Sequence, residues 1–331
     1  MAHHTAHTTT GHTSTSRTTR RGTASRIART AALALGGGAL AAAAGIVAGG
    51  FTLYTVSLNT RSPLSTFAHK DDPRFAQYDD SWRHSDTEAT SWFEGARHGL
   101  TARSMDGLTL HAWRFDPDTA RPLPHCYAIV MHGYTGAPEE TAPWAWHYAR
   151  LGFTVLCPAE RGHEESQGRI VTMGARERDD LLRWVNRVVA HDPQATILLH
   201  GNSLGAPTVC LACGDPRLAP NVTAAIVDSA YLSAAAQLAK SMAQVLRSPR
   251  SVARPMVCVA DLVLRMRDGA SLYAADALAA VRRARADGVR AGHGRRHRRP
   301  RLRGAPLPRV PRPGRRAAGG RGRRAHRRGR A

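Results

Sequence analysis

The residue with the clearest chemical role is a serine between two glycines at the end of an apolar run. Residues 196–200 are long enough for a buried strand, Gly201-Asn-Ser203-Leu-Gly205 follows, and an Ala-rich helical run comes next. A strand, a sharp turn and a helix in this order lift a serine oxygen clear of a sheet and towards a substrate. A side chain at Gly201 or Gly205 would crowd the turn. The pattern therefore predicts Ser203 as a nucleophile.

Strand-like and helix-like runs alternate along the middle of the chain. Residues 99–114 are predicted as a hairpin with Asp106-Gly107 at its turn. The following runs are predicted as strands at Tyr127–Met131, Phe153–Cys157, 196–200 and Val222–Asp228, and as helices at 139–151, 175–190 and 204–213. This alternation predicts an α/β fold, a mostly parallel sheet with helices on both faces.

A segment without strands follows the last of these runs. Residues 232–266 contain two helical runs, Ala234–Val245 and Pro255–Met266, with no strand between them. The segment is predicted to be a helical cap over the active-site edge of the sheet. Its residues are mostly Ala, Leu and Val, which leaves the substrate open.

Four motifs at the ends of the predicted strands resemble the α/β-hydrolase superfamily. In chain order they are the loop His132-Gly133-Tyr134-Thr135-Gly136, the segment Arg161-Gly162-His163, the Ser203 turn and Asp228. The chain is most similar to bacterial, membrane-anchored, capped members related to serine esterases and prolyl-oligopeptidase-like peptidases. The resemblance implies an α/β-hydrolase core at residues 71–285 that cleaves ester or peptide bonds through an acyl-enzyme on Ser203.

The resemblance also implies the groups that stabilise the transition state. The backbone N–H of Leu204, at the start of a helix, and the N–H of Tyr134 would form the oxyanion hole. The ring of Tyr134 would line the substrate pocket. These two amides and Ser203 are the expected reacting centre.

The remaining motif residues have supporting roles by the same resemblance. His132 and Gly133 would hold the oxyanion loop, so His132 is not the expected base. His163 lies in a loop similar to the family's Arg-Gly-His-Gly pattern, but Glu164 replaces the second glycine and puts the local turn in doubt. Asp228 is a candidate acid, with a structural role in its loop as the alternative.

The base that a serine nucleophile requires is missing from the chain as written. The resemblance places the acid after the seventh strand and the histidine after the eighth, yet nothing after Arg285 resembles either strand. Residues 286–331 have no apolar period, and their histidines are His293, His297 and His326. The C-terminal strands are therefore expected to be missing or disordered, and the activity of this chain to be impaired.

Two interpretations of this segment compete. Residues 282–331 hold 20 arginines and one acid, which accounts for 19 of the 22 net positive charges. A real basic tail could bind nucleic acid or another polyanion, but the segment has no aromatic residue for base stacking. The other interpretation is a reading-frame error in a GC-rich gene. Permitted codons for residues 289–301, read one nucleotide later, encode Ser-Val-Leu-Val-Met-Asp-Gly-Asp-Thr-Asp-Asp-Leu-Val, a strand followed by an acidic loop, and we favour this second interpretation.

The N-terminal sixty residues form two segments. Residues 1–29 are rich in Thr, His, Ser and Arg without periodicity and are predicted to be disordered. Residues 30–60 contain no charged residue, which predicts a transmembrane helix or signal anchor. Because five arginines precede it and Arg61 alone follows directly, the N-terminus is expected in the cytoplasm and the catalytic domain outside. A cleaved signal peptide is the alternative and would give a secreted protein.

The cysteines suggest neither a metal site nor a disulfide framework. The five are Cys126, Cys157, Cys210, Cys213 and Cys258, and their spacing lacks a second Cys-x-x-Cys pair. We interpret them as small buried apolar residues and predict no cofactor and no metal. The leading function is an extracytoplasmic serine hydrolase, anchored in the membrane by one helix. The alternative is a non-catalytic, membrane-anchored protein with a basic polyanion-binding tail. Hydrolysis versus acyl transfer and the oligomeric state stay open.

Overall fold

A six-stranded sheet forms the centre of the fold. The computed structural model describes residues 37–69 and 87–291. The strands are β1 His98–Arg103, β2 Thr109–Phe115, β3 Cys126–Met131, β4 Thr154–Pro158, β5 Thr196–Asn202 and β6 Val222–Asp228. Their order across the sheet is β1-β2-β4-β3-β5-β6, with β1 and β2 antiparallel to their neighbours and the other pairs parallel. The predicted mostly parallel α/β sheet is confirmed.

Helices cover both faces of the sheet. The helices that follow strands or precede the hairpin are α2 Thr87–Ala96, α3 Ala142–Arg150, α4 Glu177–His191 and α5 Gly205–Cys213. Ala128 and Val130 of β3 belong to the buried cluster of α2 and α3, whereas Ile129 and Met131 belong to that of α4 and α5. Successive strand residues therefore point to opposite faces, and an apolar residue is needed at every position.

Two predicted elements differ in detail from the structure. The run 139–151 divides into a short 3₁₀ turn, Pro138–Thr141, and α3. The predicted helix Pro255–Met266 is the inner part of a longer helix that begins at Arg250. Pro255 is the sixth residue of this helix, so it removes the backbone hydrogen bond that another residue at this position would donate to the Ser251 carbonyl.

Helices α6 Ala234–Val245, α7 Arg250–Asp268 and α8 Ala277–Ala291 follow β6. Helices α6 and α7 occupy the segment predicted as a cap, and they pack against each other with Leu204 and Leu211 of the α5 region in one buried cluster. Cys258 is exposed on the outer face of α7, whereas Cys157 and Cys210 are buried. The prediction that all five cysteines are buried is therefore wrong for Cys258.

The N-terminal apolar run forms helix α1, Gly37–Leu58, which is long and apolar enough to cross a membrane. Its last turn, Tyr54–Leu58, is π-helical. Leu53, Tyr54 and Leu58 are buried in the same cluster as α6 and α7. The next residues pair with the loop after β4, where the Thr60 N–H donates to the Arg169 carbonyl at 2.8 Å. The packed unit thus includes residues before Asp71, where the sequence placed its start.

The outer edge of β6 is open in the described part of the chain. No strand there pairs with it, and Ile226 and Val227 are 43% and 42% exposed. Apolar residues on both faces are typical of an internal strand with neighbours. The predicted tails at 1–29 and 286–331 lie outside the described residues, apart from the last turns of α8.

Candidate active site

Ser203 lies on the sharp turn that the glycine pattern predicts. Strand β5 ends at Asn202, α5 begins at Gly205, and Ser203 has φ = 51°, in the left-handed region. The Ser203 N–H donates to the Asp228 carbonyl at 3.0 Å, and the Gly205 N–H donates to the His132 carbonyl at 3.1 Å. Both neighbouring strands therefore hold the turn in a backbone conformation that an isolated serine would avoid.

The two glycines of the turn are required by close backbone contacts. A Cβ at Gly201 would lie 2.2 Å from the Gly205 carbonyl oxygen. A Cβ at Gly205 would lie 2.6 Å from both the Cβ and the carbonyl oxygen of Met131. Helix α5 therefore approaches β3 so closely that only glycine fits at position 205.

The oxyanion loop lies directly beside the serine. A Cβ at Gly133 would be 3.7 Å from Ser203 Oγ. The loop closes in a tight turn, with the Gly136 N–H donating to the Gly133 carbonyl at 3.1 Å and Thr135 at φ = 60°. Within residues 37–69 and 87–291, neither the Tyr134 N–H nor the Leu204 N–H donates to a carbonyl. Neither amide is therefore occupied by a backbone hydrogen bond in this part of the chain.

The His132 side chain holds this loop in place. It is fully buried, its Nδ1 lies 2.9 Å from the Gly133 carbonyl, and its Nε2 accepts the Glu160 N–H at 3.0 Å. The proton therefore resides on Nδ1 and the ring is neutral. With both nitrogens bonded to the backbone, His132 has the geometry of a positioning residue and no free nitrogen for Ser203.

The Tyr134 side chain ties the oxyanion loop to the end of α1. Its hydroxyl donates to the Ser57 carbonyl at 2.6 Å and lies 2.8 Å from Thr66 Oγ1. Burial raises the pKa of this hydroxyl, so it stays protonated. Phe67 packs edge-on against the ring at 4.9 Å. The sequence assigned Tyr134 to the pocket lining and did not indicate this link, because Ser57 lies at the end of a membrane-length helix and Phe67 follows it.

The segment after β4 keeps its turn despite the replaced glycine. Glu164 takes up φ = 42°, the conformation in which a glycine would be unstrained. His163 is buried between the rings of Phe67 and His132, at 5.0 and 4.9 Å. The departure from the family pattern is therefore accommodated locally, at the expense of backbone strain at Glu164.

No base for Ser203 is present among the described residues. There, Ser203 Oγ makes no hydrogen bond to a histidine, and Asp228 is exposed with Ser229 Oγ donating to it at 3.0 Å. His200, three residues before the serine, contacts the Tyr148 hydroxyl at 3.0 Å, and burial lowers its pKa. The candidate histidines His293, His297 and His326 lie outside the described residues. The structure thus places Ser203 beside the loop that carries Tyr134, with no histidine bonded to Ser203 Oγ among the described residues.

Glu160 lies beside the oxyanion loop as a buried acid. It is 2% exposed, and neither carboxyl oxygen has a hydrogen-bond partner in the described part of the chain. Burial raises the pKa of this carboxyl well above 4.5, and the charges of Glu177 and Asp180 raise it further. The raised pKa favours the protonated, uncharged form of this side chain.

Because of Glu160, the parent protein should lose stability as the pH rises, and we expect Glu160→Gln to abolish this loss. Above pH 4.5 the unfolded chain releases this proton while the folded chain retains it, so the free energy of unfolding falls by about 1.4 kcal/mol per pH unit up to the folded pKa. Glutamine has no such proton, so the variant should gain stability relative to the parent as the pH rises from 4.5 towards the folded-state pKa. Urea unfolding of both proteins across this range measures the difference. Parallel stability curves would contradict the raised pKa.

The site has no metal-binding constellation within the residues the structure covers, where no group of three His, Cys, Asp or Glu side chains could hold an ion.

The chain is similar to one curated protein and to several solved structures. The uncharacterized protein YqkD of Bacillus subtilis is 28% identical over 142 residues, which are 43% of this chain and 45% of that protein. The chain thus spans less than half the length of this curated relative. Among solved structures, the Pyrococcus furiosus esterase Pf2001 is similar over 49% of this chain and 62% of its own, with 21% identity and a TM-score of 0.40. An alpha-beta hydrolase from Vibrio vulnificus is similar over 54% and 66%, with 17% identity and a TM-score of 0.37.

The sequence model of one family covers the site itself. The model described as serine aminopeptidase, S33, matches residues 124–295, just over half of the chain. The match includes the oxyanion loop and the Ser203 turn. The chain therefore belongs to the serine aminopeptidase S33 family of α/β hydrolases.

Proposed function

We propose that this protein is a serine hydrolase that cleaves ester or peptide bonds through an acyl-enzyme on Ser203. The observation that carries the proposal is the strained Ser203 turn with Gly133 beside its oxygen. In this mechanism, Ser203 Oγ attacks the substrate carbonyl, and the negative charge on the carbonyl oxygen is received by the N–H groups of Leu204 and Tyr134. Each such donor contributes about 3 kcal/mol to lowering the barrier. The positive end of the α5 dipole adds to this stabilisation.

A base must still accept the Ser203 proton and return it to the leaving group. We propose that the base belongs to the polypeptide encoded in the alternative reading frame after residue 288. The open edge of β6 supports this proposal, because further strands of the sheet would carry the missing acid and histidine. Without a base, a serine hydrolase retains only about 10³–10⁴-fold catalysis over water. The chain as written should accordingly be impaired.

We propose that α1 anchors the enzyme in the membrane, with the catalytic domain outside the cytoplasm. The support is the length of α1, the absence of charge in residues 30–60 and the five arginines that precede them. Cleavage by a signal peptidase would remove Leu53, Tyr54 and Leu58 from the buried cluster only if the cut lay after Leu58. Substrates are small esters or short peptides, whose class a panel of acyl esters and aminoacyl anilides would identify.

We expect a fluorophosphonate probe to label Ser203. The probe is applied to the full chain, to its Ser203→Ala variant and to the product of the gene with its reading frame restored after residue 288. The restored protein should label at least about 10²-fold faster than the chain as written, because it regains the base. Sequencing the codons for residues 282–292 in genomic DNA identifies which frame is natural.

The control for this experiment is Ser91→Ala, which alters an exposed serine on α2 and should leave labelling unchanged. Labelling that persists in Ser203→Ala, or a restored protein that does not label at all, would overturn the proposed function.

A further inference from the structure

Helix α7 presents an apolar stripe to the outside of the protein. Val252, Leu262 and Met266 are 42%, 56% and 78% exposed. Met256 and Val259 lie between them on the same face, at helical spacing, and are partly buried. Continuous apolar surface of this kind on a helix indicates a contact with another apolar surface.

Helix α1 covers the middle of this stripe. A Cβ at Gly49 would lie 2.8 Å from Met256 Sδ, and one at Gly50 would lie 2.4 Å from the Val259 Cβ. Further along, the Tyr54 hydroxyl donates to Asp268 at 2.7 Å. Residues later in α1 contact residues later in α7, so the two helices run side by side in the same direction. The start of α7 therefore lies at the level of the part of α1 before Gly49.

That part of α1 is the part proposed to lie in the bilayer. Leu53, Tyr54 and Leu58 are buried in protein, so the crossing must precede them. A hydrocarbon core needs about 20 apolar residues, and the uncharged run that starts at Thr30 has supplied that number by Gly49. The outer boundary of the hydrocarbon thus falls near Gly49 and Met256, so the first turn of α7, from Arg250 to Val252, lies at the membrane surface, within the distance over which a long arginine side chain reaches the phosphates.

The connection between α6 and α7 at this level combines apolar and basic side chains. Val245 and Leu246 are 66% and 45% exposed. The arginines of the connection and of the first α7 turns are exposed, and within the described residues they form no ion pair: Arg247, Arg250 and Arg254. Exposed aliphatic residues with unpaired arginines around them match an anionic lipid interface, where the aliphatic groups insert and the guanidinium groups remain among the phosphates.

We propose that residues 245–254, which we name the α6–α7 corner, form a second membrane contact that docks on an anionic phospholipid surface beside α1. The proposal rests on the proposed anchoring of the protein by α1. It follows from the continuity of the corner with the α1 contact and from its charge. Docking at two points fixes the rotation of the domain about the axis of α1, which a single crossing helix would leave free.

The test measures the depth of the corner in proteoliposomes that contain the full chain. A fluorophore is attached at Val245→Cys or, as the matched control, at Thr119→Cys, which is exposed in the connection between β2 and β3. Both variants also carry Cys258→Ser, because Cys258 is exposed, and the signal of the Cys258→Ser parent is subtracted. Lipids brominated in their acyl chains quench any fluorophore that enters the hydrocarbon. Vesicles of phosphatidylcholine with and without phosphatidylglycerol are compared.

We expect quenching at Val245 in vesicles with phosphatidylglycerol, and none at Thr119. Replacing Arg247, Arg250 and Arg254 by glutamate should weaken docking about a hundredfold or more, since each arginine contributes about 1 kcal/mol at an anionic surface. Replacement by glutamine gives a milder loss and serves as the second variant if the glutamate protein does not fold. Flotation of the vesicles reports anchoring separately.

Protein that floats while Val245 remains unquenched overturns the corner contact and leaves the anchoring intact. Protein that does not float overturns both. Fluorescence at Val245 that depends on the protein-to-lipid ratio and not on bromine would assign the corner to a second copy of the chain, which also overturns the proposal.

Discussion

Gly205→Ala is expected to lower the free energy of unfolding by about 3 kcal/mol. The added methyl group would lie 2.6 Å from the Cβ and the carbonyl oxygen of Met131. Met131 ends β3, which pairs with strands on both sides and cannot move away without breaking the sheet. Helix α5 must shift instead, and the shift displaces Ser203 and the Leu204 amide together. Urea unfolding of the full chain in detergent measures the change.

Gly95→Ala is the matched control for the same substitution. Gly95 lies exposed within α2, and a Cβ there has no atom within 4 Å. Alanine should raise the free energy of unfolding by about 0.5–1 kcal/mol, because it restricts the unfolded chain and favours the helix. If Gly205→Ala were as stable as Gly95→Ala, the close approach of α5 to β3 would be wrong.

The fold was predictable because local pattern and long-range packing agree along the central strands. The four apolar runs predicted as strands correspond to β3, β4, β5 and β6 within two residues at each end. Each of these strands is buried on both faces or, like β6, has the apolar composition of such a strand. Length and composition were therefore sufficient to predict all four strands. Asp106-Gly107 lies at the predicted hairpin turn, with Gly107 at φ = 84°.

The centre of the site was predictable for a similar reason. The Ser203 turn is specified by five consecutive residues. Gly201 is required by its contact with Gly205 in the same turn, and Gly205 by its contact with the neighbouring strand β3. The roles of the Leu204 and Tyr134 amides stay predictions, although their positions beside Ser203 agree with them. The base could not be placed, because the candidate histidines lie in residues that the structure does not describe.

The contacts that hold the site from outside were not predictable. The Tyr134 hydroxyl bonds to Ser57, 77 residues earlier in the chain. The segment around Ser57 is apolar for a membrane helix and for a protein core alike, so its composition does not reveal the contact. Helix α4 likewise carries Glu177 and Asp180 at positions typical of a polar helix start, yet both side chains are buried.

The carboxylates of Glu177 and Asp180 accept hydrogen bonds from the loops next to the site, in place of water. Glu177 accepts hydrogen bonds from the Thr172 N–H at 2.8 Å, the Thr172 hydroxyl at 2.6 Å and the Gly174 N–H at 2.8 Å. Asp180 accepts two from the Arg161 guanidinium, at 2.7 and 2.8 Å. A buried charge is tolerated when it is paired and fully hydrogen-bonded. Removing one partner should therefore be among the most destabilising changes in the protein.

Asp180→Ala is expected to lower the free energy of unfolding by about 3–5 kcal/mol. The side chains of Arg161 and Asp180 are 4% and 5% exposed, so the substitution leaves a guanidinium buried. Asp106 remains paired with Arg161 at 2.9 Å, but its side chain is 37% exposed and screened by water. Thermal or urea unfolding of the full chain in detergent measures the loss.

Asp179→Ala is the neighbouring control, because it removes a carboxylate from the same helical turn. Asp179 is paired with Arg217, whose side chain is 46% exposed, so its removal should cost at most about 1 kcal/mol. Both substitutions remove the same favourable interaction with the dipole of α4, which cancels in the comparison. Combining Arg161→Met with Asp180→Leu should recover much of the stability that Asp180→Ala loses, since no unpaired charge remains. Equal losses for Asp179→Ala and Asp180→Ala would show that burial of the Arg161–Asp180 pair contributes nothing to the stability of the fold around the site.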